Sequence, residues 1–211
     1  MTLRLDTRSL SEAVKHLVKK DRRLKRIVAK YGPPPLWERQ EGFHTLILII
    51  LEQQVSLASA KATYEKLLTK IGTPTPATFL NLSDAQLRQI GFSRQKTAYG
   101  RLLAEAVIDG RLDLSRLSDL GDVDAKQQLM NIKGIGSWSA DTYLLMALDR
   151  PDIWPSGDLA LASAVQQIMG LESRPSPKIL DRIGMKWQPW RSVAARIFWH
   201  HYLSERNLEM P

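Results

Sequence analysis

Apolar residues recur at helical spacing along most of the chain, and no convincing pair of strands appears. Ser9 to Lys30 predicts one amphipathic helix, with Leu10, Val14, Leu17, Val18, Leu24, Ile27 and Val28 as its apolar stripe. Lys15, Lys19, Lys20, Arg22, Arg23, Lys25 and Arg26 fill the other faces and read as a solvated basic surface. Gly32-Pro33-Pro34-Pro35 ends that helix. Phe43 to Lys70 predicts two helical segments, broken at Gln53-Gln54-Val55-Ser56 with Ser56 as an N-cap. The aliphatic run Leu46 to Leu51 fits a buried strand by periodicity alone, but its helical flanks favour a buried helix. Gly72 to Pro76 reads as a loop. Helices follow from Ser83, with Gln86 as capping-box partner, and from Ser93 to Ile108. Asp122 to Met130, Ile179 to Ile183 and Pro189 to Glu205 complete an all-α chain of roughly ten short helices.

The remaining stretch, Asn131 to Leu161, concentrates the candidate chemistry. Gly134-Ile135-Gly136 reads as a tight hairpin built on glycine's access to positive φ. Ser137 to Leu148 predicts a helix, and Pro151 and Pro155 bracket an irregular loop. Asp158 then opens a helix to Met169, stopped by Gly170. A hairpin that presents backbone N–H groups thus lies close in sequence to a carboxylate at a helix start.

Composition narrows the classes. The 211 residues carry 30 Lys plus Arg against 22 Asp plus Glu, net +8, which attracts polyanions. There is no cysteine, so disulfides, thiolate metal sites and iron–sulfur clusters are excluded. The longest apolar run has six residues, against roughly 20 for a membrane span. The N-terminus has no apolar signal core, and a cytoplasmic protein, nucleoid-associated if bacterial, is expected. His44, His200 and His201 make no metal-ligand pattern and read as structural.

Met130-Asn131-Ile132-Lys133-Gly134-Ile135-Gly136-Ser137-Trp138-Ser139-Ala140, followed by Pro155-Ser156-Gly157-Asp158, resembles the helix–hairpin–helix, Gly/Pro-rich loop and aspartate of a superfamily of base-excision DNA glycosylases. Trp138, Gln53-Gln54-Val55-Ser56 and Trp187-Gln188-Pro189-Trp190-Arg191-Ser192 are similar to its 3-methyladenine DNA glycosylase II branch. The likeness runs from about Phe43 to about Tyr202. The chain departs from it in having Lys133 where proline is frequent, and in having no room for the N-terminal β-rich domain of some members.

The resemblance implies a single catalytic unit over 1–211 with two helical lobes and the active cleft between them. Residues 43–150, with the helix–hairpin–helix at 122–148, would form the central lobe; 1–42 and 151–211 would form the second. It also implies a monomer acting on double-stranded DNA that contains alkylated bases, with no cofactor required and no contact with membrane. Gly134, Ile135, Gly136 and Ser137 would hold a phosphate through backbone N–H groups. The carbonyls of Met130, Ile132 and Ile135 would hold a monovalent cation. Asp158, on local sequence first an N-cap, would be the catalytic carboxylate; the two roles are compatible. Trp138, Trp187 and Trp190 would stack on the extruded base, with at least one of the three expected in the core, while Trp37, Trp154, Trp199 and Tyr143 are assigned to packing. Gln53 or Gln54 would fill the gap left by the flipped nucleotide, with Gln54 preferred. Family members that also cut the strand use a lysine two residues beyond the second glycine; Trp138 stands there, so a monofunctional enzyme is expected. Charge and hairpin alone would equally suit a non-catalytic helix–hairpin–helix DNA-binding module, and composition alone a helical scaffold.

Overall fold

The computed structural model describes residues 4–208. Among them there is no strand: twelve α-helices and two short 3-10 turns carry the chain. They fall into two compact units, one made of 4–38 and 144–208, the other of Arg39–Tyr143.

In the first unit, α1 (Thr7–Lys20) and α2 (Arg22–Tyr31) replace the single helix expected over Ser9 to Lys30. The break is Asp21, in an extended conformation: its N–H closes α1 on the Leu17 carbonyl, and its carboxylate caps α2 by accepting from the Arg23 N–H at 2.8 Å. Aspartate competes for backbone N–H groups and so favours caps over helix interiors, and a periodic apolar stripe does not register that. The other helices of this unit are α10 (Leu159–Met169), α11 (Pro177–Gly184) and α12 (Arg191–Ser204). Helix α12 is the axis of the unit: Val193 to Trp199 are all buried, and α1, α2 and α10 pack around it.

The second unit contains α3 (Phe43–Glu52), α4 (Leu57–Ile71), α5 (Pro76–Leu80), α6 (Asp84–Ile90), α7 (Arg94–Ile108) and α8 (Asp122–Met130). Most of α9 (Ser137–Met146) belongs to it as well. The aliphatic run forms a helix: α3 is buried on nearly every face and packs against α4 and α7. Glu52 at its end is buried and paired bidentately with Arg39, at 2.7 and 3.0 Å. Ser56, Ser83 and Ser93 cap α4, α6 and α7 as their positions predict. Two elements go beyond the expected list: α5, where Thr75 caps a helix beginning at Pro76, and a 3-10 turn over Leu114–Asp119.

Candidate active site

The hairpin is set by what its side chains bury. Ile132 and Ile135 are 5% and 4% exposed, and the Ile135 N–H donates to the Ile132 carbonyl at 3.0 Å. Gly134 has φ +100°, a conformation that L side chains avoid. A Cβ there would also lie 2.3 Å from Tyr99 Cγ on α7, so this glycine is required by the fold itself. Gly136 differs from expectation. Its φ is ordinary and a Cβ would meet nothing within 4 Å. Its carbonyl accepts the Ala140 N–H, which starts α9. The first-turn N–H groups of α9 have no intrahelical acceptor. Gly136 and Ser137 are exposed, so this end of α9 faces solvent.

Two polar ties hold this end in place. Gln53 Nε2 donates to the Gly134 carbonyl at 2.8 Å and to Ser139 Oγ at 2.9 Å. Asp141, buried on α9, takes Lys126 Nζ at 2.7 Å and the Ser137 hydroxyl at 3.2 Å. Gln53 is therefore a strut between the α3–α4 turn and the hairpin. Gln54 beside it is exposed and has φ +57°, in the left-handed region. Met130 is 39% exposed, and Trp138, on the first turn of α9, is half-buried.

In the first unit, the loop from Pro151 to Gly157 is fastened to the start of α12. Arg191 clamps the Asp152 carboxylate with two N–H groups at 2.9 Å, and its backbone N–H adds a third bond at 3.1 Å. The Ser192 hydroxyl accepts from Ile153 N–H at 2.8 Å and donates to the Arg150 carbonyl. The Asp158 N–H then bonds the Pro155 carbonyl, and Asp158 caps α10. Its Oδ1 receives the Leu161 N–H at 2.6 Å and Trp199 Nε1 at 3.0 Å. The carboxylate is half-buried, and the Leu161 N–H and the Trp199 indole both hold its direction.

Trp199 is thus more than the packing residue expected of it: it is 4% exposed and orients Asp158. No local pattern signals this, because the two residues are 41 positions apart. Trp187 is corrected in the opposite sense. It is 2% exposed, tilted against Trp154 and Phe198 at 5.2 Å each, with Lys186 Nζ over its ring and its N–H on Asp21. No face remains open for a base, and Trp187 belongs to the core. Trp190 is half-buried at the N-cap of α12. Trp154 is buried as expected, its N–H on the Leu180 carbonyl, and Tyr143 is buried with its hydroxyl accepting the Gly42 N–H. Among the described residues, no cluster of His, Asp and Glu could hold a metal ion, and no helix is long and apolar enough to cross a membrane.

A hairpin with an open amide end, and a carboxylate fixed at the start of a later helix, define a class as well as a geometry. Residues 47–189 match the family model of the HhH-GPD superfamily base excision DNA repair proteins, and the chain belongs to that superfamily. It is 27% identical to YfjP of Bacillus subtilis over 184 residues, which are 83% of this chain and 64% of that one. The structure is similar to that of Schizosaccharomyces pombe 3-methyladenine DNA glycosylase (Mag1) in complex with abasic DNA, with TM-score 0.82 and 27% identity over 89% of this chain and 95% of the other. A DNA-3-methyladenine glycosidase from Bacillus halodurans gives TM-score 0.75 and 30% identity, covering 92% of this chain and 91% of that one.

Proposed function

We propose that the whole chain acts as one monofunctional DNA glycosylase that flips alkylated purines of the 3-methyladenine and 7-methylguanine type out of duplex DNA and hydrolyses their N-glycosidic bond. The observation that carries this is the fixed Asp158 carboxylate in a chain of the HhH-GPD superfamily. As the C1′–N bond breaks, positive charge grows on the deoxyribose, and an anion already oriented by Leu161 and Trp199 stabilises it without reorganising. Water then adds its oxygen to C1′ and gives up a proton, with Asp158 as acceptor or orienter. The methylated purine is cationic before cleavage and leaves neutral, so no strong general acid is needed.

The open end of α9 binds a backbone phosphate, with Gly136 admitting the close approach. Gln54 is the residue that fills the vacated stack; support for it over Gln53 is that the Gln53 amide already braces the hairpin. Trp138 and Trp190, both half-buried, are the stacking surfaces for the cationic base, each adding about 0.5–2 kcal/mol by cation–π attraction. At the hairpin turn the carbonyls of Met130, Ile132 and Ile135 would hold a monovalent cation. The Ile132 oxygen, already taken by the Ile135 N–H, keeps a second lone pair for it. The protein works as a monomer in the cytoplasm, on the nucleoid if the source is bacterial.

The product tests the chemistry. With methylated duplex the strand should stay intact and carry an abasic site, cut only by alkali or heat. Borohydride present during turnover should trap no protein–DNA adduct, because no amine follows the hairpin at the Trp138 position. A stoichiometric adduct that is lost in Lys133→Ala would reverse the assignment and make Lys133 a nucleophile.

A further inference from the structure

The positive charge of this protein is unevenly placed. Between Arg4 and Tyr31 there are ten Lys and Arg against three Asp and Glu, net +7, in a chain whose total is +8. Lys15, Lys19, Lys20, Arg22, Arg23 and Arg26 are all exposed, and none makes an ion pair among the described residues. Asp21, the one acid between them, is engaged by Lys186, Trp187 and the Arg23 N–H. A surface selected for solubility alone mixes signs. Here like charges repeat four residues apart, Lys15 with Lys19 and Arg22 with Arg26, an arrangement that destabilises helices.

We propose that α1 and α2 form a second duplex-DNA contact surface, separate from the Asp158 site, through which the protein holds one DNA segment while its site is engaged on another. The placement within the first unit argues for separation. Helix α12 presents Trp199 to Asp158, whereas His201 meets the ring of Tyr31, the last residue of α2, at 5.8 Å. Tyr31 also meets His200, at 6.3 Å, and His200 and His201 lie about 100° and 200° round the helix from Trp199, so α2 packs on a side of α12 turned away from the catalytic carboxylate. The chemistry of the surface selects the partner. Its cations suit a phosphate backbone. It exposes no large hydrophobic side chain for a lipid surface, and its one aromatic, Tyr31, is held by Glu205 and so is not offered for stacking on unpaired bases. Such a surface explains why the charge is concentrated on these two helices: it allows direct transfer between duplex segments during a search for rare lesions.

The inference rests on DNA being the ligand and not on the chemistry at Asp158, so undamaged duplex is the probe. In Lys19→Gln/Lys20→Gln/Arg23→Gln/Arg26→Gln, the glutamines keep helix propensity, which circular dichroism checks; the double variant Lys19→Gln/Arg26→Gln is the milder companion. Each lost phosphate contact lowers the slope of log affinity against log salt by about 0.9. The quadruple variant should lose up to about 3.6 in slope, so between 50 and 200 mM salt the wild type should weaken up to roughly 150-fold more than the variant. In stopped flow, release of labelled undamaged duplex from the wild type should quicken as unlabelled duplex is raised, and release from the variant should not. Equal slopes in the two proteins, or wild-type release independent of competitor, would overturn the proposal. Capture of anionic vesicles by α1–α2 without a change in the DNA slope would overturn it too. A protein that binds duplex this way but frees no base would refute the glycosylase assignment and leave the second surface standing.

Discussion

Gly134 and Gly136 flank one residue of the same hairpin, but their surroundings differ in a way that alanine substitution separates. At Gly134 a Cβ would stand 2.3 Å from Tyr99 Cγ and 2.7 Å from Tyr99 Cβ, the stem of the ring rather than a mobile tip. Overpacking of that kind costs about 1–3 kcal/mol, and a non-glycine residue held at φ +100° adds about 1–3 kcal/mol more. Gly134→Ala should therefore lose about 2–6 kcal/mol in urea unfolding. Tyr99→Ala in the same chain removes the ring but keeps the Cβ at 2.7 Å, so it should recover only the ring's share of the overpacking and leave the rest, a coupling that a double-mutant cycle reads directly. Gly136→Ala meets open space at an ordinary φ, so stability should hold or rise by up to about 1 kcal/mol. Its cost should appear only on DNA. A methyl group at the open end of α9 displaces one charged hydrogen bond, worth about 1.5–3 kcal/mol, which is a loss of about 10- to 100-fold in affinity by fluorescence anisotropy, alike for all sequences. Wild-type affinity in a fully folded Gly136→Ala would refute the hairpin as the phosphate grip. Wild-type stability in Gly134→Ala would refute the packing argument.

Two further predictions concern other parts of the molecule. Gln53→Leu removes the strut to Gly134 and Ser139 and should slow capture of the flipped nucleotide, read from a fluorescent base beside the lesion; Gln54→Gly should slow it equally while relieving the φ +57° strain and raising the melting temperature. Burial lowers the pKa of His44, His200 and His201, with Lys30 and Arg206 adding to the effect at His201, so their contribution to stability is present above about pH 6.5 and is lost as pH falls below it. Asp149, raised to about 6 by burial, works with the opposite sign: its contribution is present below its unfolded value and is lost as pH rises through about 6. In His201→Phe the melting temperature should therefore fall less, or rise more, from pH 7 to 5 than in the wild type.

Much of the helical order was legible because caps and stripes are local. Ser56, Ser83 and Ser93 cap where serine precedes a helical pattern, and Asp158 and Gly170 bound α10 as read. The split at Asp21 was hidden because Leu17 and Leu24 lie a full two helical turns apart, which keeps the stripe in phase across a capped break. Side-chain roles fixed by distant partners were not legible either. Trp187 and Trp199 are both tryptophans on the C-terminal segment; one is wedged between Trp154 and Phe198, the other points its N–H at Asp158. Gln53 and Gln54 are adjacent amides, separated in role only by the hydrogen bonds that Gln53 finds on the hairpin.

That the Asp158 carboxylate drives base release is tested most directly by Asp158→Asn. Asparagine caps a helix about as well as aspartate, and its oxygen can keep the Leu161 and Trp199 bonds, so fold and DNA affinity should stay near wild type. Asp158→Ala, by contrast, drops a cap worth about 0.5–2 kcal/mol and strands the buried Trp199 N–H, which marks the difference between structural and chemical loss. Single-turnover release of 3-methyladenine and 7-methylguanine from methylated duplex, measured with protein in excess, is the decisive readout. If the carboxylate drives base release, Asp158→Asn should bind the duplex and release base at least 100-fold more slowly than wild type, about 2.7 kcal/mol of lost transition-state stabilisation. Release within a few-fold of wild type would contradict it.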